Sequence, residues 1–150
     1  MRETLLYGLD ATHTRMHKCL EDLTEDEARR SPNGLTPIIW QVGHIALVDA
    51  MFAKRVDDRS ATPSGYDDLF KAGTGGEANY PPLREVTDAL DRSQQTVVAI
   101  AETVAAATPI DSPRYRNVGE MLTFLVYHRG YHVGKMTTLR ALLKKARLFG

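Results

Sequence analysis

The last third of the chain carries a regular series of apolar residues and histidines. The series is Val118, Leu122, Leu125, His128, His132, Met136, Leu139 and Leu143. Every step is three or four residues, and such steps align side chains along one face of an α-helix, which has about 3.6 residues per turn. The sequence therefore predicts one long amphipathic helix that starts at an Asn117 N-cap and keeps both histidines on its buried side.

Three earlier segments show the same spacing, at residues 6–20, 36–56 and 83–104. The second of them is apolar around more than one side, which is typical of a helix enclosed by its neighbours. No segment shows the alternating pattern of a strand. We therefore predict an all-α fold, a four-helix bundle formed by a single domain over residues 1–150.

Capping residues and a long break mark the connections between these helices. Thr24-Glu25-Asp26-Glu27 forms a capping box that opens a short extra helix. Thr36 is expected to cap the second long helix, with Pro37 at its first position, and Thr108-Pro109 to stop the third. Residues 58–80 are rich in glycine and form a long connection between helices two and three, with a short helical turn near 66–70. A connection of this length is usually functional or disordered.

The charge balance and the cysteine content limit the possible partners. The chain has 19 basic and 19 acidic residues, which argues against a nucleic-acid-binding surface. Zero formal net charge also gives little electrostatic protection against self-association, which fits a homo-oligomer. The single cysteine, Cys19, allows no intrachain disulfide and fits the reducing cytoplasm. We find no signal-peptide pattern and no apolar run near the roughly 20 residues of a membrane span, so no membrane partner is expected.

The histidine spacing indicates metal binding. His128 and His132 are four residues apart, so their imidazoles lie side by side and could bind one ion. The alternative is that both are ordinary packed residues that find other hydrogen-bond partners. His13 and His17 have the same spacing, but only His13 lies on the apolar line of its helix, so metal binding is less favoured there. His44, in the second helix, has no helical histidine partner.

Catalytic motifs are scarce in this sequence. The pair at 128 and 132 lacks the glutamate of His-Glu-x-x-His, which argues against a zinc protease. The sequence contains no nucleophile elbow, phosphate loop or paired-cysteine motif. Cys19 is expected to be a small packing residue, and not a nucleophile.

Two motifs together resemble the DinB/YfiT-like superfamily over essentially the whole chain. They are Trp40-x-x-Gly43-His44 and His128-x-x-Tyr131-His132-x-Gly134-Lys135. The chain also resembles the DinB-like domain that forms the N-terminal part of ergothioneine-synthesising sulfoxide synthases, enzymes that need a second domain as well. The resemblance implies a four-helix bundle, often a homodimer, that holds a divalent metal on His44, His128 and His132. Zinc and nickel are the expected metals, and iron or manganese are further candidates.

The resemblance favours a metal-dependent enzyme acting on a small-molecule substrate. A metal-bound thiolate would support transfer to an electrophile from a low-molecular-weight thiol, and metal-activated water would support hydrolysis. Gln41 and Tyr131 are candidate catalytic helpers, although Tyr131 is equally expected as a packing residue. Arg129 and Lys135 are expected to point to solvent. The alternatives are a non-catalytic metal-binding stress or sensor module, and a plain helical-bundle dimer with packed histidines.

Overall fold

The computed structural model describes residues 2–58, 62–76 and 78–149. Four long helices and two short ones follow one another along the chain: α1 (Arg2–Leu20), α2 (Glu25–Arg29), α3 (Ile38–Lys54), α4 (Tyr66–Phe70), α5 (Leu83–Thr103) and α6 (Val118–Leu142). The described residues form no β-strand, apart from one isolated bridge between Pro109 and Asn117. The all-α prediction is confirmed, and the four predicted long helices are present with the long connection between the second and third.

Helix α3 is the central element of the bundle. It packs against α5, α6 and the short helices α2 and α4, while α1 packs against α6 and α5. Every residue from 38 to 47 is buried, which confirms that the broad apolar surface of this segment belongs to an enclosed helix. Its side chains contribute to both apolar clusters of the core.

The helix starts agree with two of the three predicted caps. Thr24 Oγ1 accepts a hydrogen bond from the Glu27 N–H at 3.2 Å, and the Glu27 carboxylate accepts one from the Thr24 N–H at 2.9 Å, which confirms the capping box. Asn117 Oδ1 accepts a hydrogen bond from the Glu120 N–H at the start of α6. The predicted Thr36 cap is wrong. Pro37 has an extended backbone and occupies the cap position itself, so α3 begins at Ile38.

The end of α5 also differs from the prediction. The helix ends at Thr103, and Val104 is extended, so the stop comes before Pro109. The residues that follow α5 bind the start of α6. The Ala106 carbonyl accepts a hydrogen bond from the Gly119 N–H, and the Thr108 carbonyl accepts one from the Val118 N–H. The segment therefore satisfies backbone donors in the first turn of α6 that have no partner within their own helix.

A buried ion pair joins α3 and α6, and its guanidinium also contacts the other two long helices. Arg129 on α6 is fully buried, and its Nη2 donates to Asp49 Oδ2 on α3 at 2.6 Å. The same guanidinium donates to Gln94 Oε1 on α5 and to the Leu9 carbonyl on α1. The expectation that Arg129 points to solvent is therefore wrong. Lys135 is exposed, as expected. Its ammonium group lies 4.7 Å from the centre of the Tyr131 ring.

A helix that crosses a membrane must be both long and apolar. No single helix among them is long and apolar enough to cross a bilayer. The bent pair Glu25–Gly34 and Ile38–Lys54 meets the length and composition criteria only when taken together.

Candidate metal centre

Three imidazoles from α3 and α6 converge inside the bundle. The Nε2 atom of His128 lies 3.3 Å from Nε2 of His44 and 3.1 Å from Nε2 of His132. His44 and His132 are buried and His128 is half-buried, and their ligand atoms all lie within 4.8 Å of one another. The three histidines implied by the resemblance are thus brought together, although they come from opposite ends of the chain.

A backbone carbonyl orients the His44 ring. Its Nδ1 lies 2.6 Å from the carbonyl oxygen of Phe70, at the end of α4. This close approach depends on Gly43, because a Cβ at that position would lie within 2.4–2.6 Å of the Phe70 ring carbons. Trp40, one turn earlier on α3, also stacks on His44 with ring centres 4.5 Å apart and 9° between the planes.

A glutamine orients the His132 ring. Gln41 Nε2 donates to the Thr36 carbonyl at 3.2 Å, and a carbonyl can only accept. The amide oxygen of Gln41 therefore faces the other way, towards His132 Nδ1 at 2.7 Å. This arrangement requires the proton of neutral His132 to lie on Nδ1, and the Phe70 carbonyl requires the same of His44.

These hydrogen bonds leave bare nitrogen lone pairs facing one another. With Nδ1 protonated on His44 and His132, both Nε2 atoms present lone pairs to His128, whose Nε2 can donate a proton to only one of them. Two ligand atoms about 2.1 Å from one ion lie about 3.0 Å apart at a right angle and about 3.4 Å apart at the tetrahedral angle. The observed separations of 3.1 and 3.3 Å fall within that range, so the residues present fit a bound cation.

The electrostatics of the site favour neutral rings. Burial lowers the pKa of His132 to about 2 and that of His128 to about 4, with the neighbouring histidines adding to both shifts. Burial also lowers the pKa of His44, and the hydrogen bond to Phe70 opposes that shift. All three rings are therefore neutral at pH 7, which is the form that binds metal.

Packing holds the third ring, and a cavity lies next to residues that contact His132. Phe124 stacks on His128 with ring centres 5.4 Å apart. Within the described residues, His128 Nδ1 is buried and has no hydrogen-bond partner. A cavity of about 480 Å³ is lined by residues that include Gln41, Tyr131 and Lys135, whereas none of the three histidines lines it. Gln41 and Tyr131 connect it to the site, because both contact the His132 ring. The Tyr131 ring also meets the His132 ring edge to face, with centres 5.1 Å apart.

The other residues considered from the sequence lie elsewhere. Cys19 is fully buried, and burial raises the pKa of its thiol to about 11, which fits a packing role and not a nucleophile. His13 and His17 lie side by side on α1 and share a contact with Asp91 on α5. Sequence reasoning missed Asp91, Phe70 and the Asp49–Arg129 pair.

For the buried pair a signal was present. Arg129 lies four residues after Leu125 and three before His132, and Asp49 lies on an apolar line of α3. A charged residue on a predicted core line needs a partner of opposite charge, so Arg129 and Asp49 could have been predicted to form an ion pair. No local signal marks the carbonyl of Phe70, because any residue carries one.

Both the sequence and the fold of this chain are similar to those of known proteins. The family profile of the DinB superfamily matches residues 8–136. This chain belongs to the DinB superfamily. Among solved structures, a conserved protein from Enterococcus faecalis has a similar fold, with a TM-score of 0.72 at 15% sequence identity, over 96% of this chain and 97% of that chain. No curated protein matches the sequence.

The position of Gln41 leads to a prediction for this member of the DinB superfamily. Gln41 contacts Nδ1 of His132, on the side of the ring opposite the converging nitrogens, so it is placed to position a ligand. We expect Gln41→Leu to weaken Zn²⁺ affinity by about 10–100-fold, the usual cost of losing a partner behind a metal ligand. Competition with a chromophoric chelator measures this affinity. Gln41→Glu is the matched control, since its carboxylate can still accept the hydrogen bond from the Nδ1–H of His132, and equal weakening in both variants would contradict the positioning role.

Proposed function

We propose that this chain holds a divalent metal ion on His44, His128 and His132 and acts as a metal-dependent enzyme on a small molecule. The observation that carries the proposal is the convergence of three Nε2 atoms in which two rings have their Nδ1 protons committed to acceptors. Membership of the DinB superfamily supports the same assignment, because the resemblance implies a metal on these three positions.

The donor set favours some metals over others. Three neutral imidazoles suit zinc, nickel and iron, whereas manganese prefers oxygen ligands. We therefore propose zinc or nickel as the resident ion. Such an ion would act as a Lewis acid and would lower the pKa of a thiol or a water molecule that reaches it. The two reaction classes supported by that chemistry are thiol transfer to an electrophile and hydrolysis.

The surrounding residues would serve this chemistry in distinct ways. Trp40 and Phe124 stack on two of the rings and exclude water from those sides. The cavity lined by Gln41, Tyr131 and Lys135 is the proposed substrate site, since Gln41 and Tyr131 both contact the His132 ring. Tyr131 is half-exposed at that cavity, and its phenol is available for contact with a substrate. Lys135 adds a positive charge beside it that would attract an anionic thiolate or carboxylate.

The first experiment measures bound metal and turnover on the same untagged protein. Elemental analysis is expected to find at least about one equivalent of zinc or nickel per chain. Zinc-, nickel- and iron-loaded samples are then assayed with an electrophile and a panel of low-molecular-weight thiols, and with a panel of esters and amides. Bound metal without turnover in any assay would reject the proposed enzymatic function. Absence of metal would reject the proposed metal centre.

A non-catalytic metal-binding stress or sensor module is the second candidate. It is favoured by the low accessibility of two ligands, since His44 is 7% exposed and His132 is 3% exposed. This candidate predicts that metal stabilises the fold without supporting turnover. The plain bundle dimer with packed histidines predicts no metal after purification, and a His128→Leu variant of unchanged stability. The homodimer and the cytoplasmic location remain predictions from the sequence.

A further inference from the structure

A second cluster of metal-binding side chains lies between α1 and α5. His13 and His17 project from α1, and Asp91 projects from α5. The Nε2 atoms of both histidines approach the same carboxylate oxygen, Asp91 Oδ1, at 3.1 Å from His13 and 2.6 Å from His17. The three ligand atoms lie within 4.8 Å of one another. This cluster shares no residue with the histidine triad.

The His13 ring faces Asp91 through its Nε2 atom. Its Nδ1 is buried and has no hydrogen-bond partner in the part of the chain that the structure describes. No hydrogen bond on that side of the ring directs it, and its contact with a charged group is the one through Nε2, 3.1 Å from Asp91 Oδ1. The ring of His17 packs edge to face against it, with ring centres 4.6 Å apart, which keeps both Nε2 atoms on the same side of α1.

We propose that His13, His17 and Asp91 form a second site for a divalent transition-metal ion of the zinc class, which links α1 to α5. Two imidazole nitrogens and one carboxylate oxygen are a donor set for such ions, whereas magnesium and calcium prefer all-oxygen sites. One carboxylate offsets part of the charge of the ion. Burial and the neighbouring His17 lower the pKa of His13, so that ring is available in its neutral, metal-binding form.

The distances and the exposure are compatible with an ion. The 3.1 Å separation already matches two ligands of one ion, while the 2.6 Å separation is a hydrogen-bond distance and must widen to about 3.0 Å. That adjustment is small for side chains that are 39% exposed at His17 and 40% exposed at Asp91. The same exposure gives an ion access from solvent and lets water complete its coordination.

The test isolates this site by removing the other one. A His44→Ala/His132→Ala variant lacks two ligands of the triad, and its binding of Zn²⁺ is followed by competition with a chromophoric chelator. We expect it to keep one binding step. Adding Asp91→Asn or His17→Ala is expected to weaken that step by more than tenfold. Adding Asp88→Asn, an exposed carboxylate one turn earlier on α5, is expected to leave it unchanged.

A second measurement covers the case in which the triad variant does not fold. In the otherwise unaltered protein, Zn²⁺ is titrated and the ring signals of His13 and His17 are followed by NMR, with Asp91→Asn and Asp88→Asn in parallel. We expect the signals to shift at a step separate from that of the triad, and this step to be lost only in Asp91→Asn. Absence of a second step, or a second step of equal affinity in Asp91→Asn, would overturn the proposal without affecting the metal centre at the triad.

Discussion

Replacing Arg129 by methionine is expected to lower the free energy of unfolding by about 3–5 kcal/mol, the usual cost of removing one partner of a buried ion pair. The variant would leave Asp49 fully buried without its guanidinium, and would also remove the hydrogen bonds to Gln94 and to the Leu9 carbonyl. Burial already raises the pKa of Asp49, and Arg129 opposes that rise. Denaturant-induced unfolding followed by circular dichroism measures the loss.

Two further variants test the physical reason for this loss. Arg129→Met/Asp49→Leu removes both charges, and we expect it to recover much of the stability, because the unpaired buried charge is then absent. Arg116→Met breaks an exposed ion pair with Glu120 and is expected to change stability little. A double variant as unstable as Arg129→Met would contradict the account, as would an Arg129→Met protein of unaltered stability.

Removing one histidine of the triad is expected to have the largest effect on metal binding. His132→Ala leaves two of the three proposed protein ligands, so we expect Zn²⁺ affinity at this site to fall by well over about 100-fold, more than the loss of a residue behind a ligand costs. His44→Ala is expected to act similarly, although it lies on a different helix. Chelator competition measures the affinity of each variant.

The control for these variants is a neighbour that does not point into the triad. Tyr131→Phe keeps the ring beside His132 and removes only a phenol on a half-exposed side chain, so Zn²⁺ affinity is expected to be unchanged. Circular dichroism checks that each alanine variant is helical. Unaltered affinity in His44→Ala would reject the three-histidine site, while a pair at His128 and His132 would still be possible.

Much of the fold could be predicted from local patterns. The spacing of three and four residues identified all four long helices, and the capping box at Thr24 and the N-cap at Asn117 marked two starts correctly. The errors fell at the ends of helices. Pro37 takes the cap position of α3, and the residues after Thr103 serve the first turn of α6. The apolar periodicity does not show such differences, because they depend on the backbone at the helix ends and on contacts with another helix.

Part of the site was also predictable. The closeness of His128 and His132 follows from helix geometry alone, because residues four apart share a face. The inclusion of His44 came from a resemblance to a family, since no local spacing links it to the other two. The burial of Arg129 was missed because this residue lies off the line of His128 and His132, whereas the buried surface of α6 is wider than that line.

By itself, the sequence determined which segments are helical, which faces are apolar and which histidines are neighbours on one helix, because these properties depend on residues only a few positions apart. The tertiary structure decided the rest: the meeting of His44 with α6, the pairing of Asp49 with Arg129, and the position of Asp91 beside His13. Each of these depends on how one helix is rotated and shifted against another. That relation is set by the packing of whole surfaces, which no single segment of the chain encodes.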